Sequence, residues 1–224
     1  MKINLGDGIK IMKERKIGFY DYTVVLTYLG MICAYVGITK VINASYRDAL
    51  LCLMLAGVCD MFDGAVASTK ERGKREQRFG IQIDSLSDLI SFGVLPALFV
   101  YGISEHDIYS EIVGAIFILC ALIRLAFFNV LEEERQSEHP DAPKRYLGVP
   151  VTVIAGFLPI EYIIYDAGVF KNTIYFVIFL FIVAIGFISP VEIKKPGLAG
   201  KICIVIVGIG ELIFLLLGTG LTVL

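Results

Sequence analysis

Residues 48–68, DALLCLMLAGVCDMFDGAVAS, form an apolar run long enough to cross a lipid bilayer, and two carboxylates lie near its end. A charged side chain at the centre of a bilayer costs at least ~2.5–3.5 kcal/mol on insertion scales. Asp60 and Asp63 are therefore expected to have a function that offsets this cost. The run predicts a membrane-spanning helix that carries a functional site near one end.

The composition of the whole chain agrees with a membrane protein. Of its 224 residues, 57% are hydrophobic and only 19% are charged, whereas soluble domains contain ~25% charged residues. This composition excludes an ordinary soluble enzyme, and the net charge of −2 indicates no particular partner. All five cysteines fall in apolar runs without CxxC spacing, which favours buried free thiols.

Seven apolar segments are candidates to span a hydrocarbon core ~30 Å thick, which requires roughly 20 helical residues. They are 22–42, 46–68, 81–103, 110–131, 148–166, 172–189 and 200–223. We predict an all-α bundle of about six to seven transmembrane helices that forms a single domain, residues 22–224. Residues 1–21 fit either an amphipathic helix in the membrane interface or a disordered basic leader. They lack the continuous apolar core of a cleavable signal peptide.

The basic residues predict the orientation of the bundle. Sixteen of the twenty Lys and Arg residues fall in the N-terminal segment and in the loops after the second, fourth and sixth spans. Basic segments remain on the cytoplasmic side of a membrane. We therefore predict a multi-pass protein of the plasma membrane with a cytoplasmic N-terminus and, with seven spans, an external C-terminus.

A second pair of carboxylates, Asp84 and Asp88, lies in the third span, within GIQIDSLSDLISFGVLP. The spacings i, i+3 for Asp60 and Asp63 and i, i+4 for Asp84 and Asp88 place each pair on one helix face. With a rise of 1.5 Å per residue, both pairs lie roughly 6 to 12 Å from the cytoplasmic ends of adjacent antiparallel helices. Four carboxylates so close require cations, and oxygen ligands favour Mg²⁺ or Mn²⁺ over zinc. Two such ions at a basic mouth are typical of displacement at phosphorus.

The order of these residues resembles a family signature. The pattern Asp60-x2-Asp63-Gly64-x2-Ala67, followed by Gly80-x3-Asp84-x3-Asp88, is similar to that of the CDP-alcohol phosphotransferases, membrane enzymes of phospholipid synthesis. Three blocks resemble the integral-membrane phosphatidylserine synthases within this family: IDSLSDLISFGVLPA, IRLAFFNV and YLGVPVTVIAG, which begin at residues 83, 123 and 146.

The chain departs from the family pattern at three places. Ser68 stands where the family has arginine, and the spacer from Thr69 to Phe79, eleven residues, is longer than usual. Phe127 stands where the phosphatidylserine synthases often have arginine. The family arginine helps to hold the substrate's phosphates, so other basic residues are candidates for that role. They are Arg72, Lys74, Arg75 and Arg78.

The resemblance implies transfer of a phosphatidyl group from CDP-diacylglycerol to the hydroxyl of L-serine, with release of CMP. It also implies roles for the motif residues. Asp60, Asp63 and Asp84 bind two divalent ions, Mg²⁺ or Mn²⁺, and Asp88 completes the metal site and acts as the general base. Gly64, Ala67 and Gly80 line the nucleotide pocket, with Ser68 beside them.

An amino-acid acceptor requires a partner for its carboxylate, and Arg124 is the best candidate. It lies roughly 10 Å from the cytoplasmic end of the fourth span, at the depth of the aspartates. Its alternative role is a salt bridge that holds the acidic site together. Asn129, Lys144 and Arg145 lie nearer the mouth and are candidates to contact the acceptor or a headgroup. Lys144 and Arg145 fit ordinary positive-inside loop charge as well.

Two other functions compete with serine transfer. The first keeps the chemistry and changes the acceptor to glycerol phosphate, inositol phosphate or another alcohol. The second is a cation transporter that uses the aspartates as an ion site, although no inverted repeat is visible. The last span carries Glu211 among Gly208, Gly210 and Gly218, and such closely packing glycines favour a homodimer seam.

Overall fold

The protein is described here by a computed structural model of residues 17–138, 148–191 and 198–217. These residues are mainly helical, and short 3₁₀ turns precede the first and sixth α-helices. The α-helices are α1, Val25–Ile42; α2, Tyr46–Ala67; α3, Lys74–Asp88; α4, Leu95–Ile103; α5, Ile108–Glu138; α6, Ile154–Asp166; α7, Ile174–Ile188; and α8, Leu198–Leu217. The N-terminal residues 1–16 and the loop with Lys144 and Arg145 lie outside the described residues.

Four helical segments of the described chain are long and apolar enough to cross a membrane. They are Tyr22–Ile42, Tyr46–Ala67, Lys74–Ile103 and Ile108–Arg135. Two further apolar helices, Ile174–Ile188 and Val205–Leu217, are shorter. The predicted all-α membrane bundle is confirmed, and the first two spans match their predicted bounds to within a residue. The total of seven spans stays a prediction.

A stripe of mostly small residues lets α1 pack closely against its neighbours. The buried residues of α1 are Thr27, Gly30, Ala34, Gly37 and Val41. A Cβ atom added at Gly37 would lie 3.0 Å from the Cβ of Cys52 and 2.8 Å from the Cδ2 of Leu95. Small residues permit this approach of helix backbones in a membrane. As a result α1 lies directly against the helices that carry the carboxylates.

The third predicted span begins earlier than expected. The prediction treated residues 69–79 as a loop, but the helix already begins at Lys74 and only residues 68–73 connect α2 to α3. Gly73 precedes the helix in an extended conformation, and Glu76 lies in the first turn, where a negative charge is favourable. The prediction relied on the run of apolar residues, which begins near residue 81. It therefore missed the polar first turns of this helix.

A π-helical segment, Leu89–Val94, joins α3 to α4 without a break. Pro96 follows it, and proline has no N–H to donate to the carbonyl four residues earlier in an α-helix. The π-helical segment therefore lies where the hydrogen-bond pattern of the α-helix must change. Such segments are frequent at functional sites, and this one begins directly after Asp88.

The described core consists largely of aromatic and aliphatic residues from α2, α4, α5, α6 and α7. At the end of the bundle away from residues 68–73, Arg47 forms an ion pair with Asp166 at 2.6 Å, which links α2 to α6. Four of the five cysteines are free thiols within the described residues, as predicted, but only Cys120 is buried, and Cys33, Cys52 and Cys59 are partly exposed.

Candidate active site

Three carboxylates from two helices meet in the membrane part of the bundle. Asp60 on α2 and Asp84 and Asp88 on α3 each place one oxygen within 4.8 Å of the others. The carboxyl groups of Asp60 and Asp88 are in hydrogen-bonding contact. The convergence of carboxylates predicted from helix rise is therefore present, because α2 and α3 are joined by a short loop and run antiparallel.

Asp63 lies one turn from Asp60, nearer the loop end of the bundle, where residues 68–73 join α2 to α3. Its carboxyl group contacts that of Asp84. Its Oδ2 also accepts a hydrogen bond from the Oγ1 of Thr27, on α1, at 3.4 Å. Asp63 therefore extends the acidic cluster toward the loop end and toward α1.

The four carboxylates line a small cavity between α1, α2 and α3. Beside them, its walls consist of Leu26, Thr27, Gly30, Ala56, Ser87, Ser91 and Phe92. Ser91 and Phe92 come from the π-helical segment, so this segment forms the base of the cavity. Polar and apolar residues thus line the cavity together.

The donor set of this cavity fits a hard divalent cation. It offers carboxylate oxygens from Asp60, Asp84 and Asp88, with Asp63 adjacent. Opposite oxygen ligands of Mg²⁺ are about 4.2 Å apart, which is close to the spacing of the cluster. The nearby guanidinium of Arg124 alone does not balance four ionised carboxylates, so additional positive charge is favourable here.

Arg124 projects from α5 toward this cluster. Its Nε is buried and has no hydrogen-bond partner among the described residues. The charges that act on it are those of Asp88 and Asp60, yet neither forms an ion pair with it within 4 Å in the described part of the chain. Arg124 therefore presents an unused N–H donor beside the carboxylates.

Asn129 lies further along α5, where Ser85 of α3 donates a hydrogen bond from Oγ to its Oδ1 at 3.0 Å. This contact orients the amide so that its NH₂ group remains available as a donor. The structure thus brings Asn129 beside α3 at the residue after Asp84. Lys144 and Arg145 cannot be compared, since both are outside the described residues.

The two glycines of the motif have different surroundings at the loop end. A Cβ atom added at Gly64 would meet nothing within 4 Å, whereas one added at Gly80 would lie 2.9 Å from the Nη1 of Arg72, because the Arg72 guanidinium occupies that space. Ala67 is half-buried at the end of α2. Ser68 donates from its Oγ to the carbonyl of Ala65 at 2.7 Å, so its hydroxyl is turned toward its own helix.

Two of the candidates for phosphate binding, Arg72 and Arg78, have different surroundings. The guanidinium of Arg72 lies over Gly80, one helical turn from Asp84, and forms no ion pair with any described residue. Arg78 forms an exposed ion pair with Glu133 of α5 at 3.2 Å. Of these two, Arg72 is the one whose guanidinium lies against a motif glycine.

An ion-pair network holds the connecting loop against the start of the first span. Lys70 pairs with Asp21 and, at 2.9 Å, with Glu76. The hydrogen bond from Lys70 holds the pKa of the Asp21 carboxyl below its ordinary value, with a further contribution from Thr23. Because Asp21 also accepts from the backbone N–H of Thr23 at 3.0 Å, it links the loop to the first turn.

Sequence reasoning missed several polar residues around the cavity, namely Thr27, Ser85, Ser87 and Ser91. Thr27 had a readable signal, because it belongs to the small-residue stripe at positions 27, 30, 34 and 37. The serines lie inside the motif segment, but only the π-helical geometry shows that Ser91 lines the cavity.

Comparison with known proteins gives a family match over most of the chain. The model of the CDP-alcohol phosphatidyltransferase family matches residues 23–188. The archaetidylserine synthase of Methanothermobacter thermautotrophicus is 34% identical over 148 residues, which are 65% of this chain and 59% of that protein.

Two similar proteins carry the name CDP-diacylglycerol–serine O-phosphatidyltransferase. The one from Saccharomyces cerevisiae is 34% identical over 122 residues, 53% of this chain and 43% of that protein. The one from Helicobacter pylori is 26% identical over 203 residues, 86% of this chain and 79% of that protein. The chain thus spans about half the length of the archaeal and yeast relatives and most of the bacterial one.

Proposed function

Because the chain belongs to the CDP-alcohol phosphatidyltransferase family, we propose that it transfers a phosphatidyl group from CDP-diacylglycerol to the hydroxyl of L-serine. The products are phosphatidylserine and CMP. One observation carries the proposal: three motif carboxylates, Asp60, Asp84 and Asp88, bring oxygens within 4.8 Å of one another. The names of the three relatives all contain serine but differ in the lipid. They therefore support serine as the acceptor more strongly than they support one particular lipid substrate.

In the proposed reaction, the serine hydroxyl attacks the phosphorus that carries the diacylglycerol group, and the bond from this phosphorus to CMP breaks. Asp88 accepts the proton of the hydroxyl, which is a poor nucleophile near neutral pH without a positioned base. Two divalent ions, Mg²⁺ or Mn²⁺, bound by Asp60, Asp63, Asp84 and Asp88 would neutralise the phosphate oxygens and stabilise the leaving CMP. The acyl chains would remain in the bilayer.

The nucleotide would bind at the loop end of the cavity, along Gly64, Ala67 and Gly80. Open space beside Gly64 supports this placement, since a backbone without side chains permits a close approach. The guanidinium of Arg72, which lies over Gly80, would bind the diphosphate in place of an arginine at position 68.

The acceptor would bind between α3 and α5. Arg124 would hold the serine carboxylate through its unused Nε–H donor, and the Asn129 amide would donate a further hydrogen bond. Lys144 and Arg145, in the loop after α5, would contact the acceptor or a headgroup. The basic residues at the loop end favour a site that faces the cytoplasm from the plasma membrane.

The first test is a panel of acceptors with purified protein, CDP-diacylglycerol and Mn²⁺ or Mg²⁺. We expect CMP release with L-serine and not with glycerol phosphate or inositol phosphate, because Arg124 is the one basic residue placed beside the carboxylates in the described chain. Chromatography of released CMP and of the lipid product measures this. Release with a phosphorylated alcohol but not with serine would contradict the acceptor, and release with none would contradict the enzyme activity.

A second test concerns Arg72 and Ser68. We expect Arg72→Gln to raise the KM for CDP-diacylglycerol about 10- to 100-fold, since a hydrogen bond to a charged group contributes ~1.5–3 kcal/mol. Adding Ser68→Arg to this variant should restore much of the lost affinity, because it supplies a guanidinium one helical turn beyond Gly64. Steady-state kinetics with varied CDP-diacylglycerol in mixed micelles gives the KM of the single and of the double variant.

Arg78→Gln serves as the comparison for Arg72→Gln. Its guanidinium is exposed and paired with Glu133, so we expect a smaller rise in KM. Equal effects of the two substitutions would indicate a general loss of positive charge at the loop end, and they would argue against a specific contact from Arg72.

A further inference from the structure

The first span forms one wall of the cavity although it carries none of the four motif carboxylates. Thr27 lies about 7 Å along this span from its start at Tyr22, by helix rise, and only 8% of its surface is exposed. It lines the cavity together with Leu26 and Gly30. A buried hydroxyl in such a position requires a hydrogen-bond partner.

Thr27 contacts both helices that carry carboxylates. Its Oγ1 donates to the Oδ2 of Asp63 on α2 at 3.4 Å, and its carbonyl accepts from the Oγ of Ser87 on α3 at 3.2 Å. Ser87 is itself buried and directly precedes Asp88. A single residue of α1 therefore joins the two halves of the acidic site.

The hydroxyl of Thr27 is used differently from that of another threonine on the same helix. Thr39 donates to the carbonyl of Val36, three residues earlier in its own helix, at 2.7 Å. Thr27 donates across to α2. A Cβ atom added at Gly30, one turn further, would lie 3.4 Å from the Cβ of Cys59, so α1 and α2 are in van der Waals contact at this level.

Asp63 lies beside the group formed by the other three carboxylates, so its orientation decides whether it can share a cation with them. Asp60, Asp84 and Asp88 bring their oxygens together, whereas Asp63 is adjacent to this group. Its contacts are with the carboxyl of Asp84, the neighbouring Gly64 amide and Thr27. The hydrogen bond from Thr27 to Oδ2 fixes the direction in which the Asp63 carboxyl group points. At 3.4 Å this contact is longer than an ordinary O–H···O hydrogen bond, so it adds little to folding stability, and its role would be the orientation of the carboxyl group.

We infer that Thr27 is a positioning residue: it holds the Asp63 carboxylate in the orientation needed to bind a divalent cation. The inference rests on the proposed metal-dependent function and adds to it a residue from outside the family motif. Groups that orient metal ligands typically change metal affinity 10- to 100-fold when removed. The effect should therefore be measurable without any turnover.

The test is a titration of the purified full chain in detergent with Mn²⁺, without CDP-diacylglycerol or serine. The electron paramagnetic resonance signal of free Mn²⁺ reports how much of the ion is bound. We expect Thr27→Val to raise the Kd for Mn²⁺ about 10-fold, since valine has nearly the same shape but no hydroxyl. Thr27→Ser keeps the hydroxyl and should bind Mn²⁺ within about twofold of the unsubstituted chain. In kinetics, Thr27→Val should raise the Mn²⁺ concentration for half-maximal rate more than it lowers kcat.

Thr39→Val is the matched control, because it removes a hydroxyl from the same helix far from the cavity, and it should leave the Mn²⁺ Kd unchanged. Thermal unfolding without metal verifies that all variants are folded. If the Kd for Mn²⁺ is unchanged in Thr27→Val, or if Thr27→Ser loses as much Mn²⁺ affinity as Thr27→Val, the inference about Thr27 is wrong. The proposed metal site is not affected by either result. Absence of Mn²⁺ binding by the unsubstituted chain would instead overturn the proposed metal site, and the inference with it.

Discussion

Replacing Asp88 by Asn should lower the rate of CMP release about 10²- to 10⁴-fold, the range that a general base contributes. Asparagine has the shape of aspartate but cannot accept the proton of the serine hydroxyl. Asp88 lies at the centre of the acidic cluster, in contact with Asp60 and near Asp84 and Asp63. Three carboxylates remain after the substitution, so we expect CDP-diacylglycerol and Mn²⁺ still to bind.

The measurement pairs single-turnover CMP release with equilibrium binding of CDP and Mn²⁺ to the same preparation. Asp48→Asn is the control for loss of an acidic residue from α2, because Asp48 pairs with Lys40 at the opposite end of the bundle. It should change neither quantity. Loss of Mn²⁺ and CDP binding together with turnover in Asp88→Asn would show that Asp88 is chiefly a metal ligand and that the base lies elsewhere.

The meeting of the carboxylates was predictable because it depends on local geometry. Asp60 and Asp88 lie 28 positions apart in the sequence, on two helices joined by one short loop. A fixed rise per residue then places both at the same depth. The first two spans were predictable for a similar reason, since an apolar run bounded by polar residues marks a membrane helix directly.

The start of α3 and the π-helical segment were not predictable in this way. Lys74 and the charged residues after it form a helix in a polar environment, where hydropathy gives no signal. The π turn before Pro96 depends on how the chain accommodates a missing N–H donor within a packed bundle. Sequence shows the proline but does not show whether the helix kinks, ends or widens.

Contacts between distant parts of the chain were the hardest to predict. Thr27 is 36 residues from Asp63, and the position of Arg72 over Gly80 depends on the path of a loop. The stripe of small residues on α1 indicates that Thr27 is buried, but no periodic pattern shows which carboxylate it contacts or where the Arg72 side chain lies. Sequence reasoning therefore identified the carboxylates and missed the residue that the structure places beside Asp63.

Arg124→Gln should raise the KM for serine at least about 10-fold, because a hydrogen bond between charged groups contributes ~1.5–3 kcal/mol. The buried Nε of Arg124 has no partner among the described residues, so a donor is already in place for an acceptor carboxylate. Arg124→Lys keeps the charge but loses the planar pair of donors, and we expect an intermediate KM. Initial rates with varied serine at saturating CDP-diacylglycerol measure these effects.

The Mn²⁺ affinity of the same variants separates the two roles proposed for Arg124. Removing a positive charge near Asp60 and Asp88 leaves their attraction for a cation unopposed, so an acceptor-binding role predicts equal or tighter Mn²⁺ binding in Arg124→Gln. Arg47→Gln is the matched control, since Arg47 pairs with Asp166 at the far end of the bundle. It should lower thermal stability without changing the KM for serine. If Arg124→Gln instead weakens Mn²⁺ binding and leaves that KM unchanged, then Arg124 holds the acidic cluster together, and the serine carboxylate must bind to another group.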